Sequence, residues 1–146
     1  MSHATLDKFG FPATLIAEGE HWVVLLRPQQ VTLGSLVLAA KSSVTAFAEL
    51  PAEAFAEMQA HVRAIESTLQ QAFSYQRINY LMLMMVDPQV HFHVLPRYEG
   101  ERSYAGLTFS DAGWPGPPRL DQPTAMPDEA FDALLQTLKS AWPKDA

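Results

Sequence analysis

The run Gln89-Val90-His91-Phe92-His93-Val94-Leu95 places two imidazoles two positions apart. On a β-strand side chains alternate, so Gln89, His91 and His93 point one way and Val90, Phe92 and Val94 the other. Same-face neighbours then stand roughly 6–7 Å apart, close enough for one phosphate group to touch two of them. The apolar set suits a core, and the polar set a solvated or ligand-filled cleft. A neutral imidazole is a nucleophile near pH 7, and a protonated one donates to phosphate oxygen. Two imidazoles facing one anion divide these tasks, because like charges push their pKa values apart. Attack on phosphorus by His91 would form a nucleotidyl-histidine and split one hard displacement into two easier ones. Arg97, just beyond Pro96, is a candidate phosphate contact. Two other readings stand beside this one. The histidines could satisfy only local hydrogen bonds, or they could hold zinc or iron with a third ligand from Asp87, Glu99 or His61. None of those three has a diagnostic spacing, so the expectation is a site without metal or cofactor.

Composition narrows the classes. The chain has 146 residues, 48% hydrophobic and 18% charged, enough for one domain with a core. No cysteine is present, which removes disulfides and thiolate chemistry and fits a cytoplasmic home. The formal net charge is −6 and the ten Lys and Arg are scattered, so no nucleic-acid partner is expected. No apolar run reaches the ~18–20 residues of a membrane helix.

The elements that must position the histidines follow from patterning. His21 to Leu26 and Gly34 to Ala40 read as strands. Pro51 opens a helix running to about Phe73, with Phe55, Met58, Val62, Ile65, Leu69 and Ala72 on its inner face and His61 at its surface or boundary. Ile78 to Met85 reads as a buried strand, Asp87-Pro88 as punctuation and Val90 to Leu95 as the next strand. Residues 103–127 carry Pro115, Pro117, Pro118, Pro123 and Pro127 and read as an extended wrap. Trp114 within it would anchor the wrap to the body or a partner. Residues 128–142 form a terminal helix with Phe131, Leu134, Leu135, Leu138 and Trp142 on one side. His3 falls near a loose terminus. The order predicts an α+β fold: one domain over residues 1–146, an antiparallel sheet of about five strands, one long helix packed on it and a C-terminal helix.

At this point Gln89-Val-His-Phe-His-Val-Leu-Pro-Arg97 resembles the motif of the histidine triad (HIT) family. Thr32 to Leu38 is similar to that family's turn and second strand. Asn79 to Gln89 resembles a bacterial branch described as diadenosine tetraphosphate hydrolase-like. The resemblance implies a homodimer that binds a nucleotide and attacks its α-phosphate. It implies His91 as nucleophile, His93 as phosphate ligand and Asn79 as a hydrogen-bond partner near the phosphate. The chain departs from the motif at Gln89, which replaces the first histidine and cannot pass a proton at neutral pH. It also has Val86 where many members carry a hydroxyl, Arg27-Pro28 before the turn, and Ser35 where several have histidine. Two functions are therefore expected to compete. One is a nucleotide hydrolase or transferase acting on dinucleoside polyphosphates or nucleotide amidates, with His91, His93 and Gln89 catalytic and Asn79, Gln89, His93 and Arg97 on the phosphate. The other is a nucleotide-binding protein with little turnover.

Overall fold

A computed structural model describes residues 3–144. Five strands form one antiparallel sheet: β1 (Leu15–Glu18), β2 (Trp22–Leu26), β3 (Leu36–Ala40), β4 (Arg77–Leu81) and β5 (His91–Arg97). Their spatial order is β1-β2-β3-β5-β4. The histidine strand β5 therefore lies inside the sheet, hydrogen-bonded on both sides. Its register puts His93 opposite Val37 on β3 and Leu81 on β4, and His91 opposite Ala39. A slip of one residue would send the histidines to the other face, and the apolar residues around them forbid it.

The two faces are covered by different elements. Trp22, Val24, Leu26, Leu36, Leu38 and Val94 pack under the long helix α2 (Ala52–Phe73) and the terminal helix α3 (Asp128–Ala141). Val23, Leu25, Val37 and Ala39 pack against Leu6 and Phe9 of the N-terminal segment. That segment forms a five-residue helix, α1 (Ala4–Lys8). His3 caps it: its Nδ1 accepts from Leu6 N at 3.2 Å, and its Nε2 lies 3.0 Å from the Ala40 carbonyl. An expected loose end is thus fastened to the sheet. Neither α1 nor β1 is anticipated by sequence patterning, because five and four residues are too few to show a period.

Helix α2 starts at Ala52, one residue later than Pro51, and ends at Phe73, capped by Ser74 in the left-handed region. Its buried face holds Ala54, His61, Ala64, Ile65, Thr68 and Leu69. Phe55 is 41% exposed, so the stripe is turned away from the one that hydrophobic spacing suggests. The cause is His61. It is 2% exposed, and its Nε2 pairs with Glu57 Oε2 at 2.8 Å. The same carboxylate accepts from His21 N and Trp22 N, and the Trp22 indole donates to the Ala54 carbonyl. A histidine read as a surface residue is therefore part of the joint between α2 and the start of β2. Glu57→Ala leaves two backbone donors and a buried imidazole without their acceptor. The expected loss is about 1–3 kcal/mol, read as a lower midpoint in urea.

The turn between β2 and β3 is built around Gln30, which is fully buried. Its carbonyl accepts from Gly34 N and Ser35 N, and its amide donates to the Arg27 and Ser35 carbonyls. Gly34 has φ +89°, a conformation that glycine adopts without strain.

Two further expectations are corrected. The strand predicted over Ile78 to Met85 ends at Leu81. Beyond it Met85 and Val86 are 82% and 84% exposed, so the apolar run continues as a loop and not as buried strand. The segment over 103–127 is not a simple extended wrap: Arg102–Tyr104 (β6) and Leu107–Phe109 (β7) form a hairpin at its start.

Candidate active site

His91 and His93 face the N-terminal segment, so the polar face foreseen as a cleft is largely roofed there. His91 is 1% exposed and His93 6%. Their ring centroids are 5.0 Å apart in an edge-to-face arrangement. Phe9 sits against both rings, at 5.9 and 5.7 Å.

His91 Nδ1 lies 2.7 Å from the Gln89 carbonyl oxygen. A carbonyl can only accept, so Nδ1 carries the proton and donates. In the neutral ring the lone pair is then on Nε2. The backbone thereby selects the tautomer that a nucleophile needs. His93 differs. Its Nδ1 is buried without a partner. Burial, assisted by Arg27 and the neighbouring His91, pushes its pKa down from the ordinary 6.5 to about 4. It is a neutral imidazole at pH 7.

A pocket of about 170 Å³ opens beside the two rings. Lys8, Phe9 and Arg27 line one part of it, and residues 83–87 another. Lys8 Nζ pairs with Asp87 Oδ2 at 2.8 Å, linking α1 to that loop. The Arg27 guanidinium lies 5.8 Å from the centroid of the Phe9 ring, and burial lowers its pKa. A second cleft of about 270 Å³ shares Lys8, Phe9 and Arg27 and extends to Pro28 and Gln29. Together the two fall within the ~300–1,000 Å³ of small-molecule sites. Cations thus flank a pair of imidazoles, an environment that suits an anion.

The structure does not bring all the expected residues together. Gln89 faces α1, where its side-chain oxygen accepts from Thr5 Oγ1 at 2.5 Å and Thr5 N at 3.3 Å. Asn79 and Arg97 share the histidine face but lie farther along, Arg97 roughly 13 Å from His93 at ordinary strand rise. Arg97 is 4% exposed and held bidentately by Asp111, at 2.6 and 2.9 Å. It also donates to Asn79 Oδ1 and the Gly116 carbonyl. The sequence offers it as a candidate phosphate contact; in the structure it stands in a buried ion pair. Asn79 and Arg97 instead border a separate cavity of about 480 Å³ with Arg77 and Trp114. Of the metal-ligand candidates, His61 lies on α2 across the sheet and Asp87 is taken by Lys8. Among the described residues no group of three or more His, Cys, Asp or Glu could hold a metal ion. Lys8, Phe9 and Arg27 were missed as lining residues. They come from the N-terminal segment and the end of β2, and only the folded sheet brings them to β5.

The buried state of His93 has a consequence for stability. Between pH 6.5 and about 4 the unfolded chain takes up a proton at this position and the folded chain does not. Stability from this group is full above pH 6.5 and is lost as pH falls through that window. Urea midpoints should drop from pH 7 to pH 4.5, and His93→Gln should reduce the drop.

An antiparallel sheet with a strand-borne histidine pair on one face and a long helix on the other defines a histidine-triad type of α+β protein. The HIT domain family model matches residues 9–100, and the chain belongs to that family. The family includes nucleotide hydrolases and transferases. A histidine triad protein from Sinorhizobium meliloti 1021 is similar in structure, with TM-score 0.75, 20% identity and coverage of 97% of this chain and 96% of that one. One from Marinobacter aquaeolei VT8 gives TM-score 0.74, 22% identity and coverage of 97% and 95%. A hypothetical histidine triad nucleotide-binding protein from Sulfolobus tokodaii strain 7 gives 0.68, 16%, and coverage of 97% and 91%. No curated protein sequence matches the chain. Among the described residues no helix is long and apolar enough to cross a membrane.

Proposed function

We propose that the protein is a nucleotide hydrolase or nucleotidyl transferase that attacks an α-phosphate with His91 Nε2. The observation that carries this reading is the 2.7 Å contact between His91 Nδ1 and the Gln89 carbonyl, which leaves Nε2 as the lone-pair nitrogen. His93 is the phosphate ligand: with Nδ1 unprotonated and buried, its Nε2–H donates to a phosphate oxygen. Arg27 and Lys8 supply positive charge beside it. Gln89 contributes through its backbone carbonyl, which orients His91, and through its side chain, which holds α1 over the rings. Asn79 and Arg97 act at a distance, pinning the 111–117 segment to the sheet. The substrate class is a dinucleoside polyphosphate or a related nucleotide with a linkage at its α-phosphate. The reading includes a cytoplasmic homodimer. Strand β4 is an edge of the five-stranded sheet, and sedimentation velocity decides the oligomeric state.

The test is to quench a reaction with α-labelled dinucleoside polyphosphate in alkali. Label should remain on the protein, be released by acid, and be absent from His91→Ala. Label on His91→Ala at the parent level would reject the nucleophile.

The position of Gln89 favours one competing reading, a nucleotide-binding protein with little turnover. Its side chain is occupied by Thr5 and is not free to serve the reaction. Calorimetric binding of nucleotides without product would select that reading; many turnovers would remove it.

A further inference from the structure

His91 and His93 are almost fully covered, yet any ligand of the site has to reach their ring nitrogens. What covers them is one short piece of chain. Phe9 lies against both rings, and Leu6 and Phe9 close the apolar cluster over Val23, Leu25, Val37 and Ala39. The two clefts beside the rings share Lys8, Phe9 and Arg27. Of these, Lys8 and Phe9 belong to α1 and its C-cap. The segment is lightly fastened. A five-residue helix has little stability of its own, because so few internal bonds do not repay its nucleation. Its polar ties to the body come from His3, Thr5 and Lys8. His3 Nε2 donates to the carbonyls of Ala40 and Ser42, at 3.0 and 3.1 Å. Thr5 donates to Gln89 Oε1 from its hydroxyl and its amide. Lys8 reaches across to Asp87 in the turn between β4 and β5; its side chain is 51% exposed, so that pair holds weakly. After α1 the chain turns through residues 10–14, where Gly10 takes φ +85°. It is anchored again at Thr14, whose carbonyl accepts from Leu26 N at 2.9 Å.

We infer that α1 with Phe9 is a lid over the histidine pair, swinging on the turn of residues 10–14 and latched shut by Thr5 on Gln89 and by Lys8 on Asp87. Displacing it uncovers both rings and merges the two clefts, of about 170 and 270 Å³, into one space. The motion asks little of the rest of the fold. The sheet, α2 and α3 keep their own packing, so opening is a local event that costs less than unfolding. The backbone change falls on a few residues at the end of an element, as hinges commonly place it. This gives Thr5 and Gln89 a role in access to the site, since neither side chain has to touch a ligand to control it. The inference concerns only how the rings are reached, and it stands whether or not His91 attacks phosphorus.

The experiment measures how fast diethyl pyrocarbonate, which acylates an accessible imidazole nitrogen, modifies each histidine, read by peptide mass mapping in rising sub-denaturing urea. His61 is the internal control: it is 2% exposed, lies on α2 across the sheet, and is uncovered by global unfolding. In the parent, His91 and His93 should react faster than His61 and with a shallower dependence on urea, because a local opening exposes less surface. Thr5→Val should raise both rates about 5–10-fold, the change in open population on losing one buried hydrogen bond. Asp87→Asn should raise them less, since its pair is exposed. Arg97→Ala weakens the body and not the lid, so it should speed His61 and leave His91 and His93 unchanged. One rate and one urea slope for all three histidines would mean that only global unfolding uncovers the rings, and would overturn the lid. Rapid modification of His91 and His93 that Thr5→Val leaves unaltered would overturn it too, because the rings are then reached with α1 in place. A rise in Asp87→Asn alone would put the moving part in the turn of residues 83–87 and not in α1. If Thr5→Val does not fold, His3→Ala removes another fastening of the same segment and is read in the same way.

Discussion

His91→Ala should reduce turnover of a phosphoanhydride substrate by about 10³- to 10⁶-fold, the range seen when a covalent nucleophile is removed. The size of the effect follows from the two-step path. Without Nε2 the pocket keeps its cations and His93, so it still binds phosphate, but water must displace the leaving group directly. KM should therefore change far less than kcat. His91 is 1% exposed, so alanine also opens a cavity in the sheet face. His91→Asn keeps much of the volume and should give the same kinetic loss with a smaller fall in stability. Equal losses of kcat in two variants that differ in stability would point to chemistry; a kcat that tracks stability in both would sink the nucleophilic assignment.

Arg97→Ala should be the most damaging substitution for stability away from the histidines. The guanidinium and the Asp111 carboxylate are both nearly dry, 5% and 2% exposed in their side chains. Removing one partner leaves the other buried and unpaired, which costs about 3–5 kcal/mol. For a chain of this size that is a fall in Tm of roughly 10 °C. Asn79 Oδ1 and the Gly116 carbonyl lose their donor as well. Replacing both charges, Arg97→Met with Asp111→Leu, should recover most of the loss, because no unpaired charge remains. Thermal unfolding of the two single variants and the double variant measures this. If Arg97→Ala unfolds with the parent and loses only nucleotide affinity, Arg97 is a phosphate ligand after all.

The two residues show how differently the site and its frame can be read from a sequence. His91 and His93 were legible because strand alternation is a local rule: a residue's face follows from its neighbours at one and two positions. The same rule placed Val90 and Val94 in the core. The family resemblance, carried by residues 89–97, likewise needs only contiguous chain. Arg97 lies in that stretch, yet its buried ion pair is not legible there. Its surroundings depend on Asp111, 14 positions away, and on Gly116, 19 away, within a segment that has no period. His61 failed for a related reason. A histidine on a helix looks like surface until Glu57 and the amides of His21 and Trp22 are found beside it.

What the sequence by itself determined is the α+β order of elements, the long helix and the terminal one, the central histidine strand, and the pair of imidazoles on one face. These rest on periods of 2 and 3.6 residues and on residue chemistry, which are local. Tertiary structure decided the rest: that α1 roofs the histidines, that Lys8, Phe9 and Arg27 border their pocket, that Asn79 and Arg97 belong to another cavity, and that Gln89 turns to Thr5. Each is a contact between segments distant in sequence, and no periodicity encodes which distant segment arrives. The run Gln89 to Leu95 is legible as a strand that carries two imidazoles on one face, while the residues that line the pocket beside them are visible only in the folded chain.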